Sequence, residues 1–250
     1  MMPEFDLTGH PGDIARNLYE LLLRTLGVEE FLAEIAHRAA GAVRSDASCA
    51  VSIPSTGRCR RFSASSDDFA SRLDAIQHEV DDGPCLTAAR GNVTVVVEDV
   101  ANDLRWPVYS RRASAEGVGA TLSVPLTVQG TAIGALTLYA AEPRVFDEED
   151  QARTRRFAEQ AAVAVALALR LAEREDHCRN LEAALASRTT IDQALGILMA
   201  QRRVNAVKAF DLLRRLSQRS NIKLRDVAAA LITEVAGEPP PDGLPPDRRP

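Results

Sequence analysis

Eight cations, Arg188, Arg202, Arg203, Lys208, Arg214, Arg215, Arg219 and Lys223, fall in one short stretch near the C-terminal end of this 250-residue chain. A guanidinium can bond a phosphate bidentately and stack on an unpaired base, and an ammonium adds a point charge. The residues group as Arg202-Arg203 and as Arg214 and Arg215 with Arg219, which lies one helical turn beyond Arg215. The surrounding charge balance is lopsided. Residues 1–187 hold 19 Lys and Arg against 28 Asp and Glu, a net of −9. Residues 188–236 hold 9 against 4, a net of +5. A small basic module on an acidic body points to a polyanion-binding unit attached to something else. The bland alternative is a solvated helix face, in which Arg215 pairs with Asp211 at i, i+4.

Other reactive residues are scattered. Cys49, Cys59, Cys85 and Cys178 form no CxxC pair, which argues against a structural zinc site or a disulfide framework. His10, His37, His78 and His177 are isolated. No Ser/His/Asp signature, phosphate loop or metal motif is apparent, so no catalytic residue and no metal site are expected. The sequence names no cofactor. The most apolar run, residues 158–172, is Ala-rich and carries Glu159 and Arg170. It reads as a buried or dimer-forming helix, not a membrane span. The acidic N-terminus lacks the charged and apolar regions of a secretory signal, and the expected location is cytoplasmic.

The elements that must position these residues can be read from periodicity. Residues 13–26 and 28–43 have apolar residues at helical spacing. A hairpin of strands at 48–54 and 58–65 is expected across Ser55-Thr56-Gly57. A helix follows at about 67–80, then a DDGP turn, a short helix CLTAAR, a strand at 93–100 and a helix from about 104 to 115. Strands at 118–128 and 131–140 flank Gln129-Gly130, a hairpin signal. A long helix begins near Asp147, which can cap it, and Glu148, Glu149 and Asp150 suit its positive end. No Pro or Gly occurs from Asp147 to Leu195. Ala164, Leu171, Cys178 and Leu185 fit one heptad position and Leu167 and Leu181 the other, while Arg174 and Arg188 interrupt it. This reads as a short, imperfect dimerisation seam. Three helices should follow at about 188–203, 206–219 and 224–235. Their core is expected from Ile191, Leu198, Phe210, Leu213, Val227, Ala228 and Leu231. The tail after residue 236, with six Pro in 14 residues, should be disordered.

Two stretches carry a resemblance. RTTIDQALGILMAQ (188–201), AFDLLRRLSQRSN (209–221) and KLRDVAAALI (223–232) resemble the ANTAR domain, a helical RNA-binding module of bacterial transcription antitermination regulators. DDGPCLTAARGNVTVVVEDVANDLRWPVY (81–109), GVGATLSVPLTVQGTAIGALTLYA (117–140) and FDEED (146–150) resemble the GAF domain, a sensory fold. The resemblance implies an α+β chain: a GAF-type antiparallel sheet flanked by helices, a long connecting helix and a three-helix ANTAR module. The expected divisions are an N-terminal helical extension at 1–27, GAF at 28–170, a linker helix or coiled coil at 171–187, ANTAR at 188–236 and a tail at 237–250.

By resemblance, a homodimer binds RNA hairpins in nascent transcripts through the eight cations and favours antitermination. The GAF part would sense an unknown small molecule or redox state, with Asp82, Cys85, Trp106 and Tyr109 around its pocket. There is no Asn-Lys pair of the kind found in cyclic-nucleotide-binding GAF domains, so that ligand is not expected. Leu195 stands where ANTAR sequences often carry a basic residue, which shifts weight to Arg202 and Arg203. No aromatic residue appears free to stack on a base, because the spacing of Phe210 assigns it to the core. Three other readings compete: a helix-turn-helix DNA binder, an adaptor whose C-terminal helices bind protein, and a GAF-type methionine sulfoxide reductase using Cys49, Cys59 and Cys85.

Overall fold

The computed structural model describes residues 11–25, 27–44, 46–55 and 61–237. The expected turn at Thr56-Gly57, residues 58–60 with Cys59, and the tail from residue 238 lie outside them. The chain divides into two compact units, residues 1–173 and 174–250.

The first unit is built on one antiparallel sheet of five strands: β1 (Ser48–Ile53), β2 (Phe62–Ser65), β3 (Val95–Val97), β4 (Ala120–Val128) and β5 (Thr131–Ala140). Their spatial order is β2-β1-β5-β4-β3. The β4–β5 hairpin turns on Gln129 and Gly130, both at positive φ (51° and 79°), the conformation a tight two-residue hairpin needs. At Gly134 a Cβ would stand 2.4 Å from the Ser52 carbonyl oxygen, so glycine here permits the close approach of β1 to β5.

Strand alternation divides the core in two. Cys49, Val51, Ile53, Leu122, Val124, Leu126, Leu136 and Leu138 face helices α1 (Pro11–Arg24), α2 (Val28–Val43) and the start of α6 (Glu148–Arg202). On that side Phe157, Ala158, Ala161, Ala162, Ala164 and Val165 are fully buried. The Ala-rich run is therefore the helix face that lies on the sheet, where small side chains let the backbones approach. The opposite sheet face carries Ala50, Ala135 and Tyr139. It packs against α3 (Asp68–Val80), α4 (Pro84–Gly91) and α5 (Pro107–Ala115). The expected strand at 93–100 is shorter than its apolar run, because Val100–Asn102 turn into a single 3₁₀ turn.

Helix α6 runs 55 residues. Asp147 caps it as expected, with Oδ1 accepting from the Asp150 amide at 2.8 Å. Gly196 does not interrupt it, and the helix expected at 188–203 is its continuation. The second unit adds α7 (Ala206–Ser220) and α8 (Leu224–Ala236). Its core holds Ala194, Leu213, Val227, Ala228 and Ile232, with Ile191, Leu195, Leu198 and Leu231 half-buried against them. Two expectations are corrected here. Phe210 is 39 % exposed. On α7 the inward positions are Ala209 and Leu213, so Phe210, about 100° further round, turns away from the bundle. Ala164 is buried on the sheet and is not free to join a heptad seam.

Candidate nucleic-acid interface and sensor cavity

The basic side chains of the second unit point outward. Arg188, Arg202, Arg203, Lys208, Arg214, Arg215, Arg219 and Lys223 are all exposed. Arg188 reaches Asp192 at 3.9 Å on the same helix. Among the described residues no ion pair joins the other seven, and Arg215 does not pair with Asp211. Local structure explains their placement. Arg202 is the last residue of α6 and Arg203 takes the left-handed conformation, φ 53°, that ends it. Asn205 then starts α7, its side chain accepting from the Lys208 amide at 3.0 Å. At 100° per residue, Lys208, Arg215 and Arg219 fall on one side of α7, and Arg214 turns to the side of Phe210 and Val207. The expected Arg214/Arg215/Arg219 group is thus two groups. Leu195, flagged as a lost contact, packs against the core. Uncompensated exposed cations on a small fold are the surface that a phosphate backbone neutralises.

In the first unit a cleft of about 370 Å³ opens between β1, α3 and α4. Ser52, Arg61, His78, Asp81, Cys85 and Arg90 line it together with Leu86 and Ala89. Of the four residues expected at the pocket, Cys85 is at the wall. Asp82 is exposed, its carboxylate turned to the Gly83 amide at 2.9 Å, and Asp81 takes its place at the rim. Trp106 and Tyr109 belong to the second core. The Trp106 indole donates to Thr87 Oγ1 at 3.1 Å, and the Arg105 guanidinium lies 4.5 Å from its ring centre.

A polar cluster sits beside the cleft. The Asp74 carboxylate is nearly inaccessible and accepts from the Ser52 hydroxyl at 2.7 Å and the Ser63 hydroxyl at 2.5 Å. His78 Nε2 lies 3.4 Å from Asp74 Oδ2 and 3.3 Å from Ser52 Oγ. Burial raises the Asp74 carboxyl, but hydrogen bonds from His78, Ser63 and Ser52 outweigh it and hold the group below its ordinary range. Sequence reading missed this cluster because Ser52 and Asp74 are 22 positions apart. The i, i+4 spacing of Asp74 and His78 was the available signal. The three do not form a hydrolytic triad. A triad base needs its orienting carboxylate on the nitrogen remote from the nucleophile. Here serine and carboxylate share Nε2.

The buried thiols are also chemically quiet. Burial pushes Cys85 up to about 12 and Cys49 well above its usual value. They face opposite sides of the sheet. Gln77 ties the cleft wall together: its Oε1 accepts from the Cys85 amide at 2.7 Å and its Nε2 donates to Tyr139 Oη at 2.9 Å. Among the described residues no group of His, Cys, Asp and Glu is disposed to hold a metal.

Residues 25–166 match the GAF domain and residues 179–232 match the ANTAR domain. The chain belongs to the GAF family and carries a C-terminal ANTAR domain. No curated protein matches it. Solved structures similar to part of the chain include GAF domains. The GAF domain of an Acinetobacter phosphoenolpyruvate-protein phosphotransferase is 16 % identical over 65 % of this chain and 96 % of its own, with a TM-score of 0.48. The corresponding domain from Coxiella burnetii is 18 % identical over 63 % of this chain and 94 % of its own, with a TM-score of 0.48. The free methionine-R-sulfoxide reductase of Neisseria meningitidis is 18 % identical over 69 % of this chain and 97 % of its own, with a TM-score of 0.44. This GAF–ANTAR chain has, among its described residues, no helix long and apolar enough to cross a membrane.

Proposed function

We propose that this protein is a signal-responsive RNA-binding regulator. Its ANTAR module grips hairpins in nascent transcripts and promotes antitermination, under the control of the GAF sensor. The observation that carries the reading is the set of seven exposed cations without acidic partners on a module matching the ANTAR domain. Arg202 and Arg203, at the α6–α7 corner, are the first contacts we assign. A homodimer is part of the reading. Leu167, Leu171, Leu181 and Leu185 are exposed on α6 with spacings of four, ten and four, which keep all four on the two heptad positions of a helix pair while Arg174 stands between them. The linker we assign to this pairing is residues 171–187. The GAF cleft is the site we assign to the signal, with Asp74, His78 and Ser52 beside it.

Sequencing RNA that co-purifies with the full chain tests the function class. Structured leader segments should be enriched over total RNA. Arg202→Ala with Arg203→Ala should weaken hairpin binding and reduce the slope of log affinity against log salt by about one to two units. An unchanged slope and affinity would remove these residues from the interface. Competition with duplex DNA separates this reading from a DNA-binding one.

A further inference from the structure

Single-stranded RNA is usually read by splaying unpaired bases onto aromatic rings, with cations holding the neighbouring phosphates. The sequence offered no ring for this, since spacing placed Phe210 in the core. The fold turns that residue out. Phe210 is 39 % exposed, and Val207, one turn before it on the same side of α7, is 72 % exposed. Arg214, one turn after it, is exposed and without an acidic partner. The inward positions of α7 are already taken by Ala209 and Leu213. An aromatic face, an adjoining apolar side chain and a free guanidinium therefore lie in one strip. That strip starts a few residues beyond Arg202 and Arg203, on a module of net charge +5. Its charge suits a polyanion, and the ring suits the π-face of a base.

We infer that Phe210 is a stacking platform for one unpaired base of the RNA loop, with Arg214 holding the phosphate next to it. The inference rests on the RNA-binding reading above. It adds that contact with the loop bases runs through the Phe210–Arg214 side of α7. Lys208, Arg215 and Arg219, on the far side, would then serve general attraction and not loop recognition.

The test uses the full chain and hairpins selected on it from an RNA library with a randomised loop. Phe210→Ala and Phe210→Leu should each weaken binding about tenfold, and Phe210→Tyr should keep most of the affinity. Replacing the loop bases one at a time by abasic nucleotides should locate one position where the wild type loses as much. At that position Phe210→Leu should lose nothing further. The added tryptophan of Phe210→Trp, read against the signal of Trp106 in the wild type, should be quenched by the hairpin and not by the isolated duplex stem. Phe210→Leu keeps an apolar side chain on a half-exposed site, so it reports stacking even if Phe210→Ala lowers stability.

Wild-type affinity in Phe210→Leu overturns the inference while leaving RNA binding intact. Equal loss on the duplex stem also overturns it, because the effect is then structural. So does a shift of Phe210→Ala from dimer to monomer with unchanged RNA affinity, which would make the residue a contact between copies. A wild-type chain that enriches no hairpin overturns the RNA reading itself, and this inference with it.

Discussion

Asp74 shows how one residue can be read from its partners. A buried carboxylate survives only when its oxygens are satisfied, and here two hydroxyls and an imidazole do this. Its folded value lies below the ordinary 3.8. The sign follows: stability from this group is present above the unfolded value and is lost as pH falls through the lower folded one. The stability of the first unit to urea should therefore fall as the pH drops below about 4, and less steeply in Asp74→Asn. Gln77 is a second such residue. Gln77→Leu strands the Cys85 amide and the Tyr139 hydroxyl, and should cost about 1–3 kcal/mol in the same assay. The thiols differ sharply. Of Cys49, Cys85 and Cys178 only Cys178 is exposed, so iodoacetamide at pH 8 should label it alone among the three under native conditions. Labelling of Cys85 at a similar rate would mean that the cleft opens far wider than its walls suggest.

At the scale of elements, most of the architecture was legible because it rests on local chemistry. The period-two runs became strands, and Gln129-Gly130 became the hairpin turn. Asn205 and Asp147 cap the helices they precede. Asn205→Ala should cost the second unit about 1 kcal/mol by thermal unfolding. Gly196 lies in the interior of α6, and a Cβ there would meet nothing. Gly196→Ala should therefore stabilise that unit by roughly 0.5–1 kcal/mol. What periodicity could not do was rank helix faces in a small bundle. Phe210 and Leu213 both suit an apolar stripe three residues apart. Ala209 and Leu213 are the buried positions of α7, and a three-helix core has room at only one angle of that helix.

At the scale of the molecule, the 55-residue helix α6 is shared by the GAF unit and the ANTAR unit. Its exposed leucines state the dimer prediction. Leu171→Lys with Leu185→Lys should convert a dimer to a monomer by light scattering, without changing the helical content of the GAF unit. A monomeric wild type would remove the seam, and α6 would then be a connecting rod only.

The amino-acid order alone determined the two families, the strand and helix sequence, the caps and the basic character of residues 188–236. Each of these depends on residue type and on neighbours within a few positions. Only the tertiary structure decided the rest. It joined Ser52 and Asp74 across two elements and placed Trp106 and Tyr109 in the core instead of the cleft. It buried Ala164 and turned Phe210 outward. The physical reason is common to all four: burial depends on which surface another element covers, and a side chain's own chemistry does not choose that surface.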